Sequence, residues 1–187
     1  MDALKFFTSD IHFGDQETRM NLYGRNRVFN SISDFEKHII LMWNSTISKE
    51  DVVYFLGDFA LSLEGLAIAE RLNGKKILIK GNYDDKFDDE VLLNYFDEVY
   101  DEFYLELSSG ETVYLNHYPT KCAIDYFSIT GHIHGLWQVQ RNMLNVSVDA
   151  WNYIPVSEDE VLFKINAIRK YYDDNVFIGD HIVNSKK

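Results

Sequence analysis

An α/β architecture is what this sequence predicts, and three observations carry the prediction. Short apolar runs of strand length, Leu4 to Thr8, the VVYF opening of VVYFLGDFA (52–60) and Lys75 to Lys80, each lead to a ligand-type side chain, the last two through a glycine. Between these runs lie stretches with helical periodicity. From Glu98 onward the pattern changes to β-rich segments separated by turn signals.

The stretch Val52 to Ala60 organises the rest. Five apolar or aromatic residues run into Gly57 and Asp58, so the aspartate is expected at the carboxyl end of a buried strand, where open α/β sheets place ligands. A carboxylate beside a core must be paired, hydrogen-bonded or metal-bound. A plain turn aspartate would also account for this stretch taken alone.

The first strand, Leu4 to Thr8, ends in SDIHFGD, with Asp10 and His12 two apart around Ile11. In extended backbone such residues point the same way, which would bring carboxylate oxygen and imidazole nitrogen to one site, donors suited to Zn, Fe or Mn. A surface turn is the plainer alternative. Asp15 to Ile32 lacks a period and reads as a long loop; its Arg19, Arg25 and Arg27 could hold phosphate oxygens or could be solvated. Ser33 with Glu36 forms a capping box before a helix whose apolar stripe is Phe35, Ile39, Met42 and Trp43. His38 is expected on the flank of that helix.

Ser62 is expected to cap a helix to Leu72, stopped by Asn73 and Gly74. Lys75 to Lys80 then runs into Gly81 and Asn82, repeating the arrangement of Gly57 and Asp58. The strand-helix-strand spacing predicts parallel neighbours, with Asn82 near Asp58; asparagine turn chemistry is the local alternative. Asp85 to Phe96 reads as a short acidic helix. Tyr100 to Leu107 and Glu111 to Asn116 read as a hairpin with Ser108 to Gly110 at its tip, delivering His117 before Tyr118 and Pro119. Cys122 reads as small and at least half-buried.

Phe127 to Thr130 leads to GHIHG, where His132 and His134 flank Ile133 between two glycines. A second hairpin spans Leu136–Gln140 and Leu144–Val148, and NVSVD (145–149) alternates like a sheet strand. Ser157 with Glu160 caps a last helix to Tyr172. The tail from Asp173 has no assignment, and His181 reads as a surface residue.

The 187 residues fit one domain, 1–187, with core motifs over 4–150 and a C-terminal helix and tail over 157–187. A net charge of −12 argues against a duplex nucleic-acid partner, which needs clustered Lys and Arg, but not against phosphorylated substrates, because bound cations invert local electrostatics. One cysteine excludes an intrachain disulfide. The chain has no run of eighteen or more apolar residues and no visible signal peptide, so no membrane partner and a cytoplasmic location are expected.

Taken together, SDIHFG, LGDF, KGNYDD, NHYP and GHIHG, in that order over residues 4 to 150, resemble the calcineurin-like metallophosphoesterases, of the small single-domain type found in bacteria and their phages. The resemblance implies a four-layer sandwich, two mixed β-sheets flanked by helices. It implies two divalent metal ions, manganese first, with Fe, Zn, Ni or Co as alternatives. Asp10, His12 and His134 would hold one ion, Asn82, His117 and His132 the other, and Asp58 would bridge them. The implied reaction is hydrolysis of a phosphoester by a metal-bridging hydroxide, on a phosphorylated small-molecule or nucleotide-type substrate, with Asp58, Asn82, Tyr83 and Asp84 as the catalytic set.

Two positions depart from the family pattern. Tyr83 stands where the family has a histidine that helps the leaving group, with Asp84 where an acid often orients that histidine. A phenol is a far weaker acid than an imidazolium, so phosphodiesters with good leaving groups are the expected substrates. Asp15 stands where relatives tend to carry a second histidine. The alternative is a weakly active or non-catalytic scaffold that keeps the metals and binds a protein.

Overall fold

The computed structural model describes residues 3–16 and 20–171. Arg19, His181 and the tail from 172 lie outside the described residues. Two five-stranded sheets form the frame. In the first, β1 (Lys5–Thr8), β2 (Val52–Phe55), β3 (Lys75–Ile79) and β4 (Glu98–Tyr100) run parallel, and β10 (Val156–Ser157) pairs antiparallel with β1. The second has the order β5 (Phe103–Glu106), β6 (Thr112–Leu115), β7 (Phe127–Thr130), β9 (Met143–Asn145), β8 (Val139–Gln140). There β6, β7 and β9 are parallel, and the two outer pairs are antiparallel. Both sheets are mixed, and helices flank them, as in the calcineurin-like sandwich.

The pleat of the first sheet sorts its side chains into two cores. Phe6, Val53, Phe55 and Leu78 face α1 (Ile32–Thr46), which contributes Phe35, Ile39 and Trp43. Burial of Phe35 or Ile39 is worth about 2 kcal/mol each. On the opposite face, Phe7, Tyr54, Ile77 and Ile79 meet Leu105, Val113, Leu115 and Ile129 of the second sheet, joined by Val161 and Ile165 of the last helix. β2 and β3 are parallel in register, Val53 opposite Lys76 and Phe55 opposite Leu78, as the strand-helix-strand spacing predicts.

Several local readings are corrected. The cap of α1 is Ser31, whose hydroxyl accepts from Asp34 N–H, while Glu36 accepts from Gly14 N–H and ties the helix to the first loop. The expected helix after Ser62 is one α-turn, α2 (Leu63–Leu66), continued as a 3-10 stretch over Ala67–Arg71. The expected acidic helix reduces to a 3-10 turn, Asp84–Lys86, and α3 (Asp89–Leu92). Tyr100 belongs to the first sheet through β4 and not to the hairpin, which is β5 and β6. The run NVSVD leaves the sheet after Asn145, and Val148–Ala150 is a 3-10 turn. Cys122 is exposed, not buried, in the loop after the Pro119–Lys121 turn. Ser157 does accept from Glu160 N–H and starts α4 (Glu158–Tyr171). Among the described residues, no helix is long and apolar enough to cross a membrane.

Candidate metal centre

The carboxyl ends of β1, β2, β3, β6 and β7 open onto one region between the sheets. Asp10 and His12 follow β1, Asp58 follows β2, and Asn82 follows β3; His117 follows β6, and His132 and His134 follow β7. The side chains form two clusters, each with donor atoms within 4.8 Å of one another: Asp10, His12 and His134, and Asp58, His117 and His132. The i, i+2 pair His132 and His134 is therefore divided between the clusters. Asp58 Oδ2 lies 3.8 Å from His12 Nε2 and 3.6 Å from His117 Nε2, so one carboxylate oxygen stands between a histidine of each cluster. Asn82 is exposed on the turn beyond Gly81, beside the Tyr83 N–H that donates to Asp58 Oδ1 at 2.9 Å.

The backbone that presents these groups is not extended. Eight non-glycine residues among those described have positive φ, and five of them are Asp10 (59°), His12 (60°), Asp58 (60°), His132 (75°) and His134 (50°). The pleated-strand expectation for Asp10 and His12 is thus corrected: they share a site through left-handed turns. Such residues cost about 1–3 kcal/mol each and persist only where the surroundings over-determine them. Here Asp10 N–H donates to Gly57 O and His12 N–H to Asp58 O, each at 3.0 Å, locking the first loop to the second. Ile11, between them, is fully buried.

Glycine is required at three points where ligand loops meet. A Cβ at Gly57 would come within 2.6 Å of His117 Nδ1; at Gly81 it would strike the Asp58 carboxylate and come within 2.8 Å of Asp58 N. At Gly131 it would lie 2.5 Å from Ser9 Oγ and 2.8 Å from Asp10 Oδ2. The space kept clear belongs to the carboxylates and imidazoles.

Hydrogen bonding assigns the histidine faces. His117 Nδ1 lies 2.7 Å from Leu56 O, which can only accept, so Nδ1 carries a proton and Nε2 is the atom turned toward Asp58 and His132. His134 Nδ1 lies 2.6 Å from Asp149 Oδ2, which leaves Nε2 for the first cluster. Asp10 accepts from Ser9 Oγ at 2.6 Å and from His132 N–H at 3.0 Å. Burial pushes the Asp58 carboxyl up to about 7, against the opposing pull of His117 and the Tyr83 N–H. Burial and the neighbouring His117 hold His132 below its usual range, in the neutral form a metal needs. Burial likewise raises Asp84, despite its backbone donors. Imidazoles aimed by their far nitrogens, carboxylates held by N–H donors, and a buried Asp58 carboxylate between a histidine of each cluster: this donor set fits two divalent ions of the Mn, Fe or Zn kind.

Asp84 lies under the centre. Fully buried, its carboxylate accepts from the N–H groups of Asp58 (2.7 Å), Gly81 (2.8 Å) and Phe59 (3.2 Å), clamping the second and third loops together. Tyr83 stands at the site, its ring perpendicular to that of His12 with centroids 5.0 Å apart and Lys86 Nζ 4.3 Å from its own centroid.

The arginine loop is corrected at Arg25. Its guanidinium is buried and donates to Asp149 through Nε and Nη2, to Asp10 O through Nη2 and to Ile11 O through Nη1, so four of its five N–H donors are engaged within the protein and the group is turned away from solvent. Arg27 is exposed in the 3-10 turn Arg25–Arg27. Sequence reasoning missed Asp149 and Tyr23. The Tyr23 ring stacks on His134 at 3.9 Å and lies 5.3 Å from His12. The only sequence signal for Asp149 was an acid following an apolar strand. Beside the centre, Tyr23, Ile133, Leu136 and Leu22 line an open cavity of about 540 Å³.

No family model matches the chain. An uncharacterized protein of Methanocaldococcus jannaschii, MJ1445, is 30% identical over 168 residues, covering 84% of this chain and 88% of that protein. The Gene 66 protein of Mycobacterium phage L5 is 25% identical over 207 residues, covering 88% and 95%. Among solved structures, the protein of unknown function AQ665 from Aquifex aeolicus superimposes with a TM-score of 0.71 at 31% identity, covering 86% of this chain and 98% of that one. The shared identity runs through nearly the whole of both chains: this protein belongs to the family of the Methanocaldococcus protein MJ1445.

Proposed function

We propose that the chain is a dinuclear-metal phosphoesterase of the calcineurin-like kind, acting in the cytoplasm as one domain on phosphodiesters with good leaving groups. The observation that carries this reading is the position of Asp58 Oδ2, within 4 Å of a histidine nitrogen in each of the two clusters. Asp10, His12 and His134 would hold one ion, His117, His132 and Asn82 the other, and Asp58 both. When bound, two such ions supply the positive charge that polarises a phosphoryl group and acidifies water.

The protein's own groups do the rest. Asp84 fixes the Asp58 turn, and Leu56 O and Asp149 fix the ring faces of His117 and His134. Tyr83, whose ring meets that of His12, would donate a hydrogen bond toward a departing oxygen. The mostly apolar cavity beside Tyr23 and Leu136 offers room for the organic group of a nucleotide-type or small-molecule substrate. The same centre would also serve a scaffold that holds metal without turnover and binds a protein.

The test is metal content by mass spectrometry together with hydrolysis of bis-p-nitrophenyl phosphate in added Mn2+. Two ions per chain and turnover are expected, with Asp58→Ala losing both. Two ions without turnover would select the scaffold. At most one ion under saturating metal, or full activity in Asp58→Ala, would overturn the dinuclear reading.

A further inference from the structure

Arg25 and Asp149 are 124 positions apart, yet their side chains meet in a fork-on-fork pair, Nε to Oδ1 at 2.8 Å and Nη2 to Oδ2 at 2.9 Å, both almost entirely buried. A buried ion pair is weak evidence for stability, because desolvation opposes the Coulomb gain. Its connections are more informative. On one side Asp149 Oδ2 takes the Nδ1 proton of His134 at 2.6 Å. On the other, the guanidinium donates to Asp10 O (2.6 Å) and Ile11 O (2.8 Å), inside the left-handed turn that carries Asp10 and His12. All three ligands of one cluster are therefore joined through this pair. The Asp58, His117 and His132 cluster is aimed by other groups, Leu56 O and Asp84 among them.

We propose that the Arg25–Asp149 pair is the positioning device of the Asp10, His12 and His134 ion site: it fixes His134 as the Nδ1–H tautomer with Nε2 ligating, and holds that ring in register with the Asp10–His12 turn. This rests on the dinuclear reading. Replacing Asp149 with asparagine would invert the arrangement. The guanidinium donors would claim the amide oxygen, turning the amide NH2, a donor, toward His134 Nδ1. The ring would then move its proton to Nε2, the atom needed for the metal.

Nitrogen-15 correlation spectra of metal-free protein at mildly alkaline pH read the tautomer directly, and calorimetric titration with Mn2+ reads the two ions. Wild type is expected to show His134 protonated on Nδ1 and to bind two ions. Asp149→Asn is expected to show His134 protonated on Nε2 and to bind one ion about 10–100-fold more weakly, the range for removing a partner of a ligating histidine, with the second ion changed less. Asp149→Glu should restore the Nδ1–H form in part. Arg25→Lys keeps the charge but loses the fork; it should keep the tautomer and weaken the same ion, because the Asp10 and Ile11 carbonyls lose their donors. An Nε2–H tautomer in wild type overturns the proposal, as does wild-type affinity for both ions in Asp149→Asn or in Arg25→Lys. If Asp149→Asn fails to fold, the wild-type tautomer and Arg25→Lys still decide. A wild type that binds fewer than two ions would instead defeat the dinuclear reading, while the metal-free tautomer would still report on the pair.

Discussion

The ring of Tyr83 stands perpendicular to the imidazole of His12, with centroids 5.0 Å apart. Position 83 is therefore at the edge of the metal centre and not on a remote face of its loop. Its substitution should bear on the leaving group while the seven candidate ligands stay unchanged. An alkoxide leaving group needs a proton or a strong hydrogen bond as charge develops on it, and a nitrophenolate needs much less. General acid catalysis is typically worth ~10²–10⁴-fold. Tyr83→His is expected to raise kcat/KM for poor leaving groups by ~10-fold or more, scaled down from that range because both Asp84 oxygens are already engaged by the N–H groups of Asp58, Gly81 and Phe59. The measurement is a series of phosphodiesters of graded leaving-group acidity, in wild type, Tyr83→His and Tyr83→Phe. Equal slopes in all three would remove position 83 from the reaction.

Gly81 and Gly110 together separate metal binding from stability. A Cβ at Gly81 would strike the Asp58 carboxylate and lie 2.9 Å from His117 Cε1. Gly81→Ala is expected to lose about 1–3 kcal/mol by overpacking and to displace the Asp58 carboxylate, weakening metal about 10-fold or more. Gly110→Ala is the control. Its φ of +82° makes it strained, but its Cβ would meet open space at a hairpin tip. It should lower the melting temperature with no change in metal titration. Equal metal affinity in both variants would mean that the Gly81 contact is relieved without moving Asp58.

The seven candidate ligands could be picked out of the sequence because each follows a short apolar run, often with glycine alongside, and such a signal is local. The geometry that brings them together was not legible. The pleat argument for Asp10 and His12 fails against φ values of 59° and 60°, and the division of His132 from His134 between the two clusters came from the family resemblance and not from their spacing. Arg25 and Asp149 illustrate the other limit. No spacing links residues 124 positions apart; they meet because Ser9 bridges Ser147 in parallel, bringing the ends of the two sheets side by side. Asp84 was legible as an acid near the site, but its three backbone donors come from loops 3 to 26 residues away. Short helical segments such as Leu63–Leu66 were over-read because capping signals mark where a helix starts better than how far it continues.

Asp51 provides a pH test away from the metal centre. Its carboxylate accepts from Leu4 N–H (2.9 Å), Ser48 N–H (2.8 Å) and Ser48 Oγ (2.7 Å), tying the start of β1 to the turn that leads from α1 into β2. Burial opposes ionisation, but these three donors prevail and hold its carboxyl below the ordinary value of 3.8. As pH falls, the unfolded chain takes up this proton before the folded one does. The stabilisation is therefore complete above the ordinary value and is lost as pH drops through the lower folded value. Asp51→Asn keeps the size but offers one acceptor oxygen to three donors. It is expected to lower stability by about 2 kcal/mol at pH 7, the scale of a hydrogen bond to a charged group. The deficit should shrink toward the acid limit, where the wild-type carboxyl is itself protonated. Urea unfolding of metal-free wild type and Asp51→Asn from pH 7 to pH 3 measures both curves, and using metal-free protein keeps ion release out of the comparison. A constant deficit across that range would show that the charge on Asp51 does not hold the turn.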